Sequence, residues 1–84
     1  MPTMVSDKDA RLNIKANLNR MLATRGITRT KLARITGDPL MTISVTVAGK
    51  STPNAALLAR IAEALETSVE VLISPPKNNL SEAS

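Results

Sequence analysis

The residues that could do chemistry in this chain are mainly Lys, Arg, Asp and Glu, because its 84 residues include no His, no Cys and no aromatic residue. Disulfides and the usual zinc sites are therefore excluded, and only carboxylates remain as metal ligands. The acids are scattered and no glycine-rich loop resembles a phosphate cradle, so neither an enzyme nor a bound cofactor is predicted. Stacking of bases on aromatic rings, a common route to single-stranded nucleic acid, is excluded as well.

The basic residues show the clearest pattern. Eleven Lys and Arg residues stand against seven Asp and Glu residues, which gives a formal net charge of +4. Every basic residue except Lys77 precedes Ile61, whereas four of the seven acids follow it. A cationic excess confined to one part of a chain suits binding to a polyanion. An ordinary solvated surface is the alternative, and a charge of this size does not exclude it.

The stretch "MTISVTV", residues 41–47, decides which element could position these charges. It alternates apolar and polar residues, and five of the seven are β-branched, which is typical of a half-buried strand. Its flanks favour a helix instead. Asp38 is a good N-cap, Pro39 is tolerated at the first helical position, and Gly49 follows the end. Because β-branched residues cost a helix only about 0.5 kcal/mol each, we predict a helix. One face would carry Ile43, Thr46 and Val47, and the opposite face Met41, Ser44, Val45 and Ala48.

Apolar spacing and capping residues predict four further helices. The capping candidates are a box at Ser6 and Asp9 for the first helix, Thr28 for the second, Asn54 after Pro53 for the fourth, and Ser68 for the fifth. Gly26 and Gly37 would end the first two helices. The apolar residues are Ile14, Leu18, Met21 and Leu22 in the first helix, Leu32, Ala33 and Ile35 in the second, and Leu57, Leu58, Ile61, Ala62 and Leu65 in the fourth.

The predicted fold class is therefore all-α, with one domain over residues 6–74. Residues 75–84 contain two prolines, no apolar period and a single Leu, so they are predicted to be a disordered tail. No apolar run approaches the length that spans a membrane, and no signal-peptide pattern precedes the first charges. A cytoplasmic chain without a membrane partner is expected.

Only "TGDP" separates the second and third predicted helices, and two short helices joined by a glycine turn make a helix-turn-helix. Residues 26–73, "GITRTKLARITGDPLMTISVTVAGKSTPNAALLARIAEALETSVEVLI", resemble the lambda-repressor-like DNA-binding domain of the Cro/repressor, XRE-type family. The phrases "DAR", "NAALLARI" and "SVEVLISP" are especially similar to the repressor for which the family is named. The resemblance implies a compact five-helix domain that binds double-stranded DNA.

The resemblance also implies which residues meet DNA. The helix that starts near Asp38 would be the recognition helix in the major groove. The family's base-facing positions match Leu40, Met41, Ser44 and Val45, and its phosphate-facing positions match Thr28, Arg29, Thr42, Lys50, Ser51 and Thr52. The alternative for each is an exposed, uninvolved residue. The fifth helix usually forms the dimer contact, which corresponds to Val69, Leu72 and Ile73, with simple core packing as the alternative.

Two departures from the family pattern affect the prediction. The base-facing positions lack Gln, Asn and Arg, so Leu40, Met41 and Val45 are expected to contact thymine methyl groups instead. Many members bury an Arg–Glu pair at the positions of Leu22 and Val47. Here both positions are apolar, a joint replacement that is often neutral or stabilising.

Two functional hypotheses follow from the resemblance. The first is a sequence-specific repressor that acts as a homodimer on a two-fold operator. The second is an antitoxin or anti-repressor-like module whose main partner is a protein, docked through the apolar recognition-helix surface or the tail.

Overall fold

The computed structural model describes residues 7–76, which form five α-helices and no strand. These are α1 (Asp7–Arg25), α2 (Arg29–Thr36), α3 (Leu40–Val47), α4 (Ala55–Ala64) and α5 (Val69–Ile73). The prediction of an all-α fold with five helices is confirmed. Ser6 of the predicted capping box and residues 77–84 of the predicted tail lie outside the described residues, so the domain bounds 6–74 stay a prediction.

The helix ends follow from residues whose side chains bond to the backbone. The side-chain oxygen of each of three N-cap residues accepts a hydrogen bond from the backbone N–H three residues later. These bonds join Thr28 to Lys31 at 3.1 Å, Asn54 to Leu57 at 2.8 Å and Ser68 to Val71 at 3.2 Å. Each bond satisfies a backbone N–H that has no partner within its helix. Gly26 and Gly37 follow α1 and α2 with φ of 66° and 79°, a left-handed conformation that a Cβ would strain.

The stretch "MTISVTV" lies in α3, as predicted. Its inward residues Ile43, Thr46 and Val47 are at most 1% exposed. The Thr46 hydroxyl donates to the Thr42 carbonyl at 2.9 Å, so this buried polar group is satisfied inside the helix. Burial of one face against other helices thus outweighs the local preference for a strand.

One predicted cap is wrong. The N-cap of α3 is Pro39, which makes no side-chain cap bond, and Asp38 lies one residue further out. The Asp38 carboxylate bonds to Arg60 of α4 instead, 22 residues away. A charged partner at good geometry offers a stronger hydrogen bond than a neutral backbone N–H, which explains why the local capping rule fails here.

The helices enclose one apolar core. α1 packs on α3 and α5, α2 packs on α3 and α4, and α4 packs on α5. The core consists of Ile14, Leu18, Met21, Leu22, Leu32, Ala33, Ile43, Val47, Leu57, Leu58, Ile61, Ala62, Leu65 and Leu72. The predicted inner faces of the first, third and fourth helices are confirmed. Ile35 of α2, by contrast, is 48% exposed and contributes little to the core.

Candidate nucleic-acid interface

The beginning of α2 presents positive charge and free backbone donors to solvent. Thr28 is its N-cap, the first turn contains no acidic residue, and Arg29 and Lys31 are exposed. The N-terminus of a helix favours an anion because its N–H groups and its dipole point toward that end. Thr28 and Arg29 therefore lie at a helix start of the kind that binds anions, and their role as phosphate contacts stays a prediction.

The outer surface of α3 carries the four predicted base-facing residues. Met41 is 73% exposed and Leu40 is 47% exposed, so two adjacent large apolar side chains lie in solvent at the start of α3. Ser44 and Val45 continue this face but are partly covered, as is the predicted phosphate-facing Thr42. The first turn of α3 therefore offers the most accessible surface, and it is apolar.

The loop after α3 carries the predicted phosphate contacts Lys50, Ser51 and Thr52, all of which are exposed. The Lys50 amide donates to the Val45 carbonyl at 2.9 Å, and this bond fixes the start of the loop against α3. Gly49 has φ of 75°, and a Cβ at this position would lie 2.9 Å from the Lys15 Cδ atom. The loop thus lies against the Lys15 side chain of α1, and the positive φ of residue 49 favours glycine there.

Helix α1 also holds the far end of α3. The Asn19 side-chain amide donates to the Val47 carbonyl at 3.0 Å and to the Lys15 carbonyl at 2.7 Å. Sequence reasoning missed this residue, because an Asn on a helix is ordinarily expected to face solvent. Nothing local in the sequence indicates its partner, which lies 28 residues along the chain.

Leu22 and Val47 are both buried, at 7% and 1% exposure, and belong to the same apolar core. Apolar residues suit these two positions, where the resemblance places the family's buried ion pair, because both lie inside the apolar core. Neither side chain leaves an unpaired charge in the interior, so no desolvation cost arises there.

The pair formed by Asp38 and Arg60 lies at the entry to α3. The Arg60 guanidinium donates through Nη2 to Asp38 Oδ1 at 2.8 Å and through Nε to Oδ2 at 3.0 Å. This bidentate bond lowers the pKa of the Asp38 carboxyl below its usual value, and the carboxylate in turn raises the pKa of Arg60. Sequence reasoning assigned no role to Arg60, and a charged residue in the middle of α4 gives no local signal for one.

The predicted dimer residues of α5 separate into two groups. Leu72 is fully buried within the chain, so its prediction as a dimer contact is wrong and the alternative of core packing holds. Val69 and Ile73 are partly buried, while Val71, which was not predicted, is 42% exposed. Any contact through α5 would therefore centre on Val71 rather than on Leu72.

Other kinds of site find little support in residues 7–76. No group of three or more acidic residues, the only metal-ligating type present, is close enough to hold a metal ion there. None of the described helices combines the length and hydropathy needed to cross a membrane. An open groove lies between α2 and α4, bordered by Ile35, Thr36, Arg60, Glu63, Ala64 and Glu66.

Comparison with known proteins identifies the class. Residues 17–78 match the model of the Cro/C1-type helix-turn-helix DNA-binding domain, and the chain therefore belongs to this family. Its helix-turn-helix is α2, the turn at Gly37 to Pro39, and α3.

A particular solved structure shares the whole architecture. The chain is similar to the crystal structure of the hypothetical transcription factor NHTF from Neisseria, with a TM-score of 0.79 over 98% of this chain and 95% of that chain. At 20% sequence identity, this likeness shows a common fold. No curated protein matches the sequence.

Proposed function

We propose that this chain is a transcriptional repressor that binds a two-fold operator as a homodimer, with α3 in the major groove. The observation that carries the proposal is the exposed surface of α3, led by Met41 at 73% exposure, in a chain of the helix-turn-helix DNA-binding family. A major groove about 12 Å wide admits an α-helix, and apolar side chains at its floor contact thymine methyl groups.

The electrostatic part of the interface has two ends. Arg29 and the free N–H groups of α2 would bind the DNA backbone on one side of α3, and Lys50, Ser51 and Thr52 would bind it on the other. Contacts of this kind fix the register of the protein on the duplex, while Leu40, Met41, Ser44 and Val45 read the bases. Without a bidentate donor among these four side chains, the protein should prefer A·T-containing sites with modest discrimination.

Dimerisation would use the outer side of α5. Val71 is 42% exposed there, whereas Val69 and Ile73 pack partly against the core and are only partly exposed. A symmetric contact through one small apolar surface would place two α3 helices on successive major grooves, one helical turn of about 34 Å apart.

A second candidate function rests on the same apolar residues. Leu40 and Met41 are large, exposed and adjacent at the start of α3, and exposed apolar residues that cluster can mark a protein interface. In an antitoxin or anti-repressor-like protein, this surface would bind a partner protein instead of thymine methyl groups.

Selection of bound duplexes from random oligonucleotides tests the proposal directly. A repressor dimer should enrich a two-fold, A·T-containing site, and the protein should occupy it as two chains in analytical ultracentrifugation. Failure to enrich any site at low salt, together with binding of a partner protein that Met41→Ala abolishes, would favour the second candidate.

A further inference from the structure

The turn of the helix-turn-helix is fastened to α4 by one ion pair. Asp38 lies in the turn and Arg60 lies in α4, and the two side chains meet at 2.8 Å and 3.0 Å through two parallel bonds. A bidentate Arg–carboxylate bond restricts geometry as well as distance, because both N–H groups must point along the carboxylate plane. The side chains are only partly covered, at 45% exposure for Arg60 and 13% for Asp38.

The backbone between this pair and α3 has little freedom. Pro39 separates Asp38 from the first helical residue, and its ring holds φ at −61°. The Asp38 amide donates to the Ala33 carbonyl of α2 at 3.1 Å. The start of α3 therefore follows the position of Asp38 closely. Since α3 has no side-chain cap of its own, the hold on Asp38 replaces the usual means of fixing a helix start.

We propose that Asp38 and Arg60 are positioning residues for base reading: together they fix the direction in which α3 leaves the turn, and so the placement of Leu40 and Met41 against the bases. The inference rests on the proposed DNA-binding function. Because partly exposed ion pairs add little to global stability, the role should show in discrimination between DNA sequences rather than in unfolding.

Charge alone predicts the opposite result for one substitution. Asp38→Asn removes a negative charge at the entry to the proposed DNA-binding helix, so simple electrostatics should strengthen binding to every duplex. Loss of positioning should instead weaken binding to the selected site while binding to unrelated duplexes is kept. The sign of the change at the selected site therefore separates the two explanations.

The experiment measures the affinity for a selected duplex and for a scrambled duplex of equal composition, by fluorescence anisotropy at one salt concentration. The proteins are the wild type, Asp38→Asn, Arg60→Gln and the double variant. Glu63→Gln is the matched control, because Glu63 is exposed on α4 one turn after Arg60 and its substitution removes the same charge as Asp38→Asn. Urea unfolding of each protein is followed in parallel.

We expect the ratio of selected to scrambled affinity to fall on the order of tenfold, the effect of one poorly made base contact. The fall should be the same in both single variants and in the double variant, since each breaks one shared link. Glu63→Gln should keep the wild-type ratio, and the urea midpoints should barely move.

Three results would overturn the proposal while the DNA-binding function stands. The first is an affinity ratio that is unchanged in Asp38→Asn, and the second is a double variant whose loss is the sum of the two single losses. The third is a Glu63→Gln protein that loses as much of the ratio as Asp38→Asn does. A wild-type protein that binds neither duplex would overturn the DNA-binding function, and the positioning role with it. That outcome is distinguishable because it is visible before any variant is made.

Discussion

The side-chain amide of Asn17 in α1 lies 2.8 Å from the carbonyl oxygen of Leu72 in α5, 55 residues away. The same nitrogen is within 3.1 Å of the Val71 carbonyl and 2.8 Å of the Ser74 carbonyl. Asn17 is only 1% exposed, and the Arg20 guanidinium donates to its oxygen at 3.3 Å. The two N–H hydrogens of one buried amide are thus shared among carbonyl groups at the end of α5, and the Ser74 hydroxyl also donates to the Val71 carbonyl at 2.9 Å.

Asn17→Leu keeps the branched shape and the number of heavy atoms of this side chain and removes the hydrogen bonds. The Leu72 carbonyl would then be buried without its side-chain donor, which should cost about 1–3 kcal/mol of unfolding free energy. Urea unfolding measures the loss, and hydrogen exchange of α5 amides should show that this helix is loosened first. Asn13→Leu is the control, because Asn13 makes a single bond to the Ile73 carbonyl at 3.0 Å and should cost less. Equal costs for the two would contradict this account of the α5 end.

The burial of Leu22 and Val47 in the core gives a second prediction. Leu22→Ala should lower stability by about 2–5 kcal/mol through cavity formation. Val47→Glu should be comparably harmful, because it places one unpaired carboxylate at a position that is 1% exposed. Thermal unfolding checks both. A Val47→Glu protein with the wild-type midpoint would show that Val47 is not buried as described.

Acid pH should remove the contribution of the Asp38–Arg60 pair. The pKa of Asp38 is lower in the folded chain than its ordinary value of 3.8, chiefly because Arg60 donates to the carboxylate. The pair therefore stabilises the folded state above that ordinary value, and its contribution is lost as pH falls through the lower, folded pKa. The difference in urea midpoint between wild type and Arg60→Gln should be small and constant near neutral pH, as expected of a partly exposed pair, and should shrink further below about pH 4. A difference that persists undiminished in strong acid would contradict the assignment.

Salt should weaken DNA binding steeply. A dimer that contacts on the order of six phosphates would lose about a thousandfold in affinity between roughly 50 and 200 mM salt. Arg29→Ala and Lys50→Ala should each reduce the slope of log affinity against log salt, and weaken all sequences alike. Ser51→Ala is a neutral control in the same loop as Lys50 and should leave the slope in place. An affinity that does not change with salt would count against both cations as phosphate contacts.

Local signals in the sequence predicted the helices well because the caps at Thr28, Asn54 and Ser68 and the glycine at residue 37 act over a few residues. The alternation in residues 41–47 pointed to a strand, and only the flanking residues and the burial of Ile43 and Val47 resolve it as a helix. A pattern of seven residues reports only local propensity, and packing decides the structure when propensity and packing disagree.

The roles that the sequence did not predict, and the one cap that it predicted wrongly, share a different cause. The missed roles of Asn17, Asn19 and Arg60, and the wrong cap at Asp38, all depend on partners at least 22 residues away. A polar side chain on a predicted helix is expected to face solvent unless the tertiary structure supplies such a partner. The burial of Leu72 belongs to the same class, since an α5 of five residues offers no reliable period from which to tell its inner face.

The most direct test of the central claim, that α3 reads bases with an apolar surface, combines one protein variant with one change in DNA. Replacing a contacted thymine by uracil removes a methyl group without changing base pairing, and should cost on the order of 1 kcal/mol. Met41→Ala should cost a similar amount at the same site, and the two changes together should cost less than their sum. Ile43→Ala, at a residue with 0% exposure, should lower stability by about 2–5 kcal/mol and leave the thymine preference intact. Full additivity of Met41→Ala with every thymine-to-uracil change in the site, or no uracil effect at all, would contradict the claim.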